Sequence, residues 1–265
     1  MADSLFFTVL QVLAILTAVA LFVSPLPDLR RIHMTKVIGE VSVLPLLSMW
    51  GCASIWVIYG FMTSSVFPVV VTNAIGMFCA LSYIVVYWRH TTEKKYVVKL
   101  FTFIGFGLAC ITLYAVLAAS GVTNQTNKQA GKIIGFVADA VNIILYASPF
   151  ETMKKIVQTK NSSSLPISFC FVTMINCTLW VLYGIIDNDM FVLTPNALGF
   201  VFSVIQVTLY VKYKPSASQV QNDNEVRRVS IDIVTPKESD SFAYSKIKSP
   251  TLEPSPTTLA PVSAV

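Results

Sequence analysis

The sequence contains little charge, and what it has is distributed unevenly. Asp, Glu, Lys and Arg together make up 12% of the 265 residues, whereas hydrophobic residues make up 54%. Residues 41–88 contain no Asp, Glu, Lys, Arg or His. A soluble domain of this length carries roughly twice that fraction of charged residues. The composition therefore excludes a soluble catalytic domain and indicates a membrane protein.

The five cysteines show no metal-binding or disulfide spacing. All of them lie inside apolar runs, and no Cys-x-x-Cys pair occurs. A cysteine in such a run is most often a small packing residue. The sequence also shows no grouping of a nucleophile with a base. We therefore expect no metal, no cofactor, no nucleic-acid partner and no enzymatic activity.

Long apolar runs dominate the first four fifths of the chain. Runs of about 20 apolar residues are typical of helices that cross a bilayer, because hydrocarbon offers no partner to an unpaired backbone group. The sequence thus predicts an all-α membrane protein with seven transmembrane helices. Their predicted ranges are 5–26, 42–62, 66–88, 99–121, 131–150, 164–186 and 190–212.

One unit of the sequence occurs twice. Residues 56–60 read Trp-Val-Ile-Tyr-Gly, and residues 180–184 read Trp-Val-Leu-Tyr-Gly. Asn73 and Asn196 follow these motifs at nearly the same distance. Such self-similarity indicates an internal repeat. The first three predicted helices match the last three, which leaves the fourth helix as a connector.

The odd number of helices in each repeat fixes their relative direction. Three helices end on the side of the membrane opposite to their start, so a second copy in the same orientation requires one extra crossing. The expected architecture is therefore a parallel 3+1+3 repeat. The predicted divisions are a first three-helix bundle, a linker helix with its loop, a second three-helix bundle and a disordered cytoplasmic tail, at 1–98, 99–130, 131–214 and 215–265.

Basic residues in the short loops predict the orientation. They cluster after the first, third, fifth and seventh helices, and the other side carries only Lys128 and Lys132. Because basic loops face the cytoplasm, the N-terminus is expected outside and the C-terminus inside, and the plasma membrane is the expected location. Asn124 heads a glycosylation sequon in an external loop, and Ser230 follows two arginines as a candidate phosphorylation site in the tail.

The repeated Trp and Asn residues fall at one depth. Counting about 1.5 Å per helical residue from the external turns places Trp56, Asn73, Trp180 and Asn196 near the midplane. A lone membrane tryptophan is usually an interface anchor or a packing residue, and a lone asparagine often joins two helices. Repetition at a matched depth favours a shared central cavity instead. Indole faces suit the C–H face of a pyranose ring, and amides both donate to and accept from hydroxyls.

Helix five carries a polar stripe on one face. Its members recur at helical spacing, namely Gly135, Asp139, Asn142, Tyr146 and Pro149. An acid inside a membrane helix normally faces the bundle interior. Asp139 is therefore expected to bind a sugar hydroxyl, to take up a proton, or to pair with Lys132.

Four prolines also recur between the repeats. Pro25 and Pro149 lie near the inner ends of helices one and five, whereas Pro45 and Pro166 lie near the inner starts of helices two and six. Proline removes a backbone hydrogen bond and bends a helix. The four positions predict an inner hinge, with simple helix starts and stops as the alternative.

The chain resembles the SWEET family of sugar transporters over about residues 5–213. The stretches ILYASPFETMKKIVQTKNSSSLP, LWVLYG and LTPNALGF carry the resemblance. It implies that the four prolines form the family's proline tetrad, and that Asn73, Asn196, Trp180 and Trp56 match its substrate-pocket positions. It further implies pocket-lining roles for Cys52 and Asn176 and a sugar-size role for Asn142. Tyr59 and Asp189 match the residues that close the outer gate. Asp139 departs from the plant members of the family, which tend to have an uncharged residue at this position.

The sequence therefore predicts a facilitative, bidirectional sugar transporter that works by alternating access on a monosaccharide such as glucose. A proton-coupled amino-acid transporter of the PQ-loop type is one alternative, although Leu46 and Ile167 follow the prolines where that class has Gln. A seven-helix receptor is the other alternative, but a receptor has no reason for the duplication. The expected partners are a sugar and the lipid bilayer, and a homo-oligomer is compatible with the pattern.

Overall fold

The computed structural model describes residues 2–39, 41–163 and 165–214, and these residues form helices and no strand. The predicted disordered tail and Ser230 lie outside the described residues. The helices are α1 (Ala2–Val23), α2 (Leu26–Thr35), α3 (Val43–Met62), α4 (Val71–His90, preceded by a π-helical turn at Val66–Val70), α5 (Lys94–Ala119), α6 (Asn127–Leu145), α7 (Ala147–Thr159), α8 (Ile167–Ile186) and α9 (Met190–Lys212).

Seven stretches of the described residues are long and apolar enough to cross a membrane. They confirm the predicted all-α fold with seven transmembrane segments. The stretches are Ser4–Thr35, Val43–Met62, Val66–His90, Lys94–Ala119, Asn127–Thr159, Ile167–Ile186 and Met190–Lys212.

The first and fifth predicted helices do not end where expected. Both continue as a second helical segment beyond a break, so the predicted ends at 26 and 150 mark interruptions. Pro25 is the N-cap of α2, and Pro149 is the third residue of α7. Proline cannot continue the preceding hydrogen-bond ladder but is tolerated in the first turn of a helix. The chain therefore breaks and restarts at these points.

The other two prolines also stand at helix starts. Pro45 is the third residue of α3, and Pro166 is the N-cap of α8. All four prolines thus occupy positions where a helix begins, which the hinge hypothesis and its alternative both allow. The inner hinge remains a prediction.

Equivalent helices of the two repeats make equivalent contacts. In the first half α1 packs against α4 and, across the repeats, against α8. In the second half α6 packs against α9 and, across the repeats, against α3. The connector α5 lies against α3 and α6. Each repeat therefore contacts the other through matching elements, while the predicted division into bundles remains a prediction.

The glycines that end the two repeated motifs allow close helix pairing at the outer turns. A Cβ atom added at Gly60 would lie 2.7 Å from Cγ2 of Val70, and one at Gly184 would lie 2.9 Å from the backbone nitrogen of Leu193. No side chain fits at either distance. These approaches hold α3 against α4 and α8 against α9 near the cavity described below.

The loop before α8 is fixed to the end of α9. Ser162 is fully buried, and both its N–H and its hydroxyl donate to the carbonyl oxygen of Tyr213, at 3.2 and 2.9 Å. The ammonium of Lys160 donates to the Tyr213 hydroxyl at 3.1 Å. This hydrogen bond, with the positive charge of Lys160, lowers the pKa of Tyr213. The loop between α7 and α8 is therefore held against the end of α9.

Candidate functional site

A cavity of about 200 Å³ is lined by residues of both repeats. Seven of the eight predicted substrate-binding residues line it, namely Cys52, Trp56, Asn73, Asn142, Asn176, Trp180 and Asn196. Asp139, the eighth, is not among the lining residues. Sequence reasoning missed seven further lining residues, which are Ala18, Phe22, Val69, Thr72, Tyr146, Val192 and Pro195.

The fourteen lining residues form seven pairs that the sequence repeat relates. Each residue of the first half has its counterpart 123 or 124 positions later, and both members line the cavity. The pairs are Ala18 with Asn142, Phe22 with Tyr146, Cys52 with Asn176, Trp56 with Trp180, Val69 with Val192, Thr72 with Pro195, and Asn73 with Asn196. The duplicated unit thus builds one common chamber. Applying the repeat offset to Asn142 and Tyr146 would have identified Ala18 and Phe22 from the sequence.

The two tryptophans are buried against tyrosines of their own helices. Trp56 is 8% exposed and Trp180 is 7% exposed. Their rings lie edge-to-face on Tyr59 and Tyr183, with centroids 5.2 and 5.6 Å apart. An interface anchor would present its ring to the headgroups. The burial therefore argues against an interface anchor, and it fits both a packing role and a place in the cavity wall.

The asparagines on α4 and α9 have the same hydrogen bonds. Nδ2 of Asn73 donates to the carbonyl oxygen of Val69 at 2.9 Å, and Nδ2 of Asn196 donates to that of Val192 at 2.8 Å. Both bonds stay within one helix. An asparagine that joins two helices would bond to a neighbouring element, so this alternative does not describe either residue.

Three other lining residues, Cys52, Asn142 and Asn176, do bond between elements. Nδ2 of Asn176 donates to Oγ1 of Thr17 at 2.8 Å and to the carbonyl oxygen of Ala14 at 3.3 Å, which joins α8 to α1. The thiol of Cys52 donates to Oδ1 of Asn142 at 3.1 Å, which joins α3 to α6. These residues therefore connect the repeats while lining the cavity.

The predicted gate residues are in contact near the end of α3 and the start of α9. The Tyr59 hydroxyl donates to Oδ1 of Asp189 at 2.7 Å. The same oxygen accepts from the backbone N–H groups of Phe191 and Val192, at 3.1 and 3.2 Å, and so caps α9. A carboxylate that already has two backbone donors is held in place for a third. The gating role itself remains a prediction.

Asp139 lies between the gate and the cavity on the same face of α6. One turn outward, the space beside Gly135 is filled by the ring of Phe191, 2.7 Å from where a Cβ would be. One turn inward, Asn142 lines the cavity. Oδ1 of Asp139 is buried without a hydrogen-bond partner among the described residues, and no ion pair joins it to Lys132 there. The predicted pairing with Lys132 is therefore not formed.

Tyr146 lines both the central cavity and a second one of about 470 Å³, as does Asn142. It stands at the break between α6 and α7, its hydroxyl donates to the carbonyl oxygen of Pro195 at 2.5 Å, and its ring lies 5.1 Å from that of Phe202. Pro149 and Pro166 line the second cavity. The sequence had placed Tyr146 on the polar stripe but assigned it no role.

The predicted glycosylation residue can also be located. Asn124 is exposed in the loop between α5 and α6. Its side chain is therefore accessible for the attachment of a glycan. Among the described residues, no group of three His, Cys, Asp or Glu side chains is arranged to hold a metal ion.

Comparison with known proteins identifies relatives along most of the chain. The profile of a family described as "sugar efflux transporter for intercellular exchange" matches residues 8–95 and 132–218. "Sugar transporter SWEET1" of Dictyostelium discoideum is 27% identical over 214 residues, which cover 78% of this chain and 94% of that protein. "Sugar transporter SWEET1" of Drosophila pseudoobscura pseudoobscura is 28% identical, with 79% and 90% covered.

Two other similarities differ in extent. "Bidirectional sugar transporter SWEET15" of Oryza sativa subsp. indica is 26% identical over 77% of this chain, and the match spans 63% of the length of that relative. The structure of a eukaryotic SWEET transporter solved at 3.7 Å superposes with a TM-score of 0.71 and 23% identity, covering 80% of this chain and 99% of that one. The structural similarity supports the fold.

Proposed function

The chain belongs to the family of sugar efflux transporters for intercellular exchange, and from this premise we propose that it carries a monosaccharide such as glucose in both directions across a membrane. Members of this family are transporters and not enzymes. The observation that carries the proposal is the cavity in which both copies of the repeat place an indole and an amide. Its volume of about 200 Å³ is below the ~300–1,000 Å³ of sites for drug-sized ligands, which favours a monosaccharide over a disaccharide.

The lining chemistry suits a neutral polyol. The two indoles offer apolar faces to the C–H groups of a sugar ring, and the asparagines offer amides to its hydroxyls. Among the residues that the structure describes, no Lys, Arg, Asp or Glu lines the cavity. A ligand with a net charge would therefore find no counter-charge there, whereas a sugar needs none.

Transport by alternating access would use the two ends of the same helices. The contact between Tyr59 and Asp189 closes the outer end, and the breaks at Pro25 and Tyr146 allow α2 and α7 to move relative to α1 and α6. In the proposed orientation the N-terminus is outside, the C-terminus is cytoplasmic, and the protein acts in the plasma membrane. A homo-oligomer is compatible with this arrangement.

Uptake of labelled glucose into transporter-deficient cells tests the proposal. Asn73→Ala and Asn196→Ala each remove an amide from the cavity and should abolish uptake while surface expression persists. Thr178→Val is the matched control, because its hydroxyl bonds to the Met174 carbonyl of its own helix on an exposed face. Near-normal uptake in both asparagine variants would defeat the assignment of the cavity.

Asp139 favours a second candidate, in which sugar movement is coupled to protons. Its buried oxygen without a partner is unfavourable unless a proton, a water molecule or a ligand group satisfies it. Coupling predicts that an inward proton gradient accelerates uptake and that Asp139→Asn removes this acceleration. Uptake that is equal at pH 5.5 and 7.5 in both proteins would leave simple facilitation as the mechanism.

A further inference from the structure

The amide groups of Asn73 and Asn196 have a defined orientation. Each contacts the carbonyl oxygen four residues earlier in its helix, at 2.9 and 2.8 Å. Only the NH₂ group of an asparagine amide can donate to a carbonyl oxygen. Rotating either amide by 180° would place two oxygen acceptors against each other. The chemistry of the contact, and not only the atom assignment, therefore fixes the NH₂ group toward the backbone.

The opposite end of each amide is left as an acceptor. Neither Oδ1 atom has a hydrogen-bond partner among the described residues, and neither is a fully enclosed oxygen like that of Asp139. Both residues are half-buried and line the cavity. Each residue therefore borders the cavity and carries an amide oxygen that has no hydrogen-bond partner among the described residues.

The hydroxyl groups that line the cavity are already engaged. The Thr72 hydroxyl donates to the carbonyl oxygen of Pro68 at 2.8 Å, and the Tyr146 hydroxyl donates to that of Pro195 at 2.5 Å. Each would have to break this bond to serve an asparagine oxygen. The indole N–H groups and the other asparagine amides that line the cavity make no hydrogen bond to Oδ1 of Asn73 or Asn196 among the described residues. In this conformation the donors for the two oxygens therefore come from water or from the substrate.

We propose that this transporter recognises its substrate through two hydroxyl groups that each donate a hydrogen bond, one to Oδ1 of Asn73 and one to Oδ1 of Asn196. The inference rests on the proposed function and deepens it, because it states which partner donates. A sugar hydroxyl can donate and accept a hydrogen bond, so the fit of a hydroxyl beside an asparagine does not show which of the two groups is the donor. Fluorine does, since it is similar in size to a hydroxyl and cannot donate.

Competition with modified sugars tests the direction of these bonds. Uptake of labelled glucose is measured against glucose analogues in which one hydroxyl at a time is replaced by fluorine or by hydrogen. At two ring positions both replacements should raise the inhibition constant roughly ten-fold, as expected when a buried acceptor loses its donor. If the protein donated instead, fluorine would restore much of the affinity that hydrogen loses.

Two variants connect each ring position to its residue. Asn73→Leu and Asn196→Leu keep the approximate shape of the side chain and remove the acceptor. Each should abolish the fluorine penalty at one of the two positions and keep it at the other. Asn127→Leu, at an exposed position at the start of α6, should keep both penalties. Where a variant does not transport, the shift in thermal midpoint that the same sugars produce in the purified protein gives the same comparison.

The inference is wrong if every fluorinated analogue competes as well as glucose, or if both leucine variants keep both penalties. Failure of the proposed function would look different. In that case the wild-type protein would neither take up glucose nor change its thermal midpoint with any sugar of the series, whether or not the hydroxyls had been replaced.

Discussion

Tyr59→Phe tests the role of the outer contact with a single oxygen atom. The variant removes the hydroxyl that donates to Oδ1 of Asp189 at 2.7 Å. It leaves the aromatic ring in its contacts with Trp56 and Phe191, with centroids 5.2 and 5.9 Å away. Asp189 keeps its two backbone donors at the start of α9. The substitution therefore isolates the bond between the repeats without exposing a bare carboxylate.

The size of the expected effect follows from the type of bond. A hydrogen bond to a charged group contributes about 1.5–3 kcal/mol. If the bond exists only in the outer-closed conformation, its loss shifts the equilibrium toward the outer-open one by that amount. At 1.4 kcal/mol for each factor of ten, the ratio of outer-open to outer-closed molecules should rise by about 10- to 150-fold. The outer-open fraction itself rises by the same factor as long as it stays well below one.

The native Cys52 provides the assay, because it lines the central cavity. Replacing the other four cysteines with alanine leaves it as the single thiol; these are Cys79, Cys110, Cys170 and Cys177. A membrane-impermeant thiol reagent is then supplied on the side where Tyr59 lies. When opening and closing are fast, the rate of modification is proportional to the outer-open fraction. Tyr59→Phe should raise that rate at least ten-fold, and excess glucose should slow it.

The second repeat supplies the matched control. The Tyr183 hydroxyl donates to Oδ2 of Asp187 at 3.0 Å, and Asp187 belongs to the same repeat as Tyr183. In the first repeat this hydroxyl bonds to the neutral side chain of Ser65 and not to a carboxylate. Tyr183→Phe should therefore change the rate several-fold less than Tyr59→Phe. Equal rates in the wild-type protein and in Tyr59→Phe, with Cys52 still reactive after detergent unfolding, would refute the gate assignment.

Three other expectations follow from the structure. Gly184→Ala should destabilise the purified protein by about 1–3 kcal/mol, because the added Cβ would lie 2.9 Å from the backbone nitrogen of Leu193. Gly107→Ala is the control and should not destabilise it, because a Cβ there would meet no atom of the described residues within 4 Å. Thermal denaturation compares the two variants. Tyr146→Phe loses its bond to the carbonyl of Pro195 and should lower stability by about 0.5–1.5 kcal/mol in the same assay. Asn124→Gln should abolish the gel shift that glycosidase treatment produces in the wild-type protein, and a wild-type protein without any shift would show that Asn124 carries no glycan.

The cavity could be predicted from the sequence because the duplication shows which residue types occur at equivalent positions of both repeats. A single tryptophan in an apolar run has several interpretations. The matched depth of Trp56 and Trp180 favours one of them, a shared cavity. The structure places both indoles in one chamber with Asn73 and Asn196. Helix number was equally accessible, since about 20 apolar residues in succession have few other stable states in a bilayer. Both conclusions depend on patterns that the linear sequence records directly.

Other features depend on where side chains meet, and the linear sequence does not contain that information. The bond between Cys52 and Asn142 joins residues 90 positions apart, and no repeat or spacing indicates it. The continuation of α1 and α6 beyond their prolines was missed because proline permits both a stop and a new start. Asp139 illustrates the same limit, since its helical face was predictable but its position outside the cavity was not.

The differences between the repeats bear on how one cavity binds an unsymmetrical ligand. Three of the seven lining pairs are identical, those of Trp, Asn and Val, whereas the pairs at Ala18, Phe22 and Cys52 have Asn, Tyr and Asn in the second half. In these three pairs the second copy is the more polar. A hexose has no two-fold axis, so identical pairs alone would accept it in two opposite orientations. If the cavity binds a hexose as proposed, the polar groups that the second repeat adds at Asn142, Tyr146 and Asn176 would distinguish the two orientations, with Thr72 as the one lining position where the first repeat is the more polar.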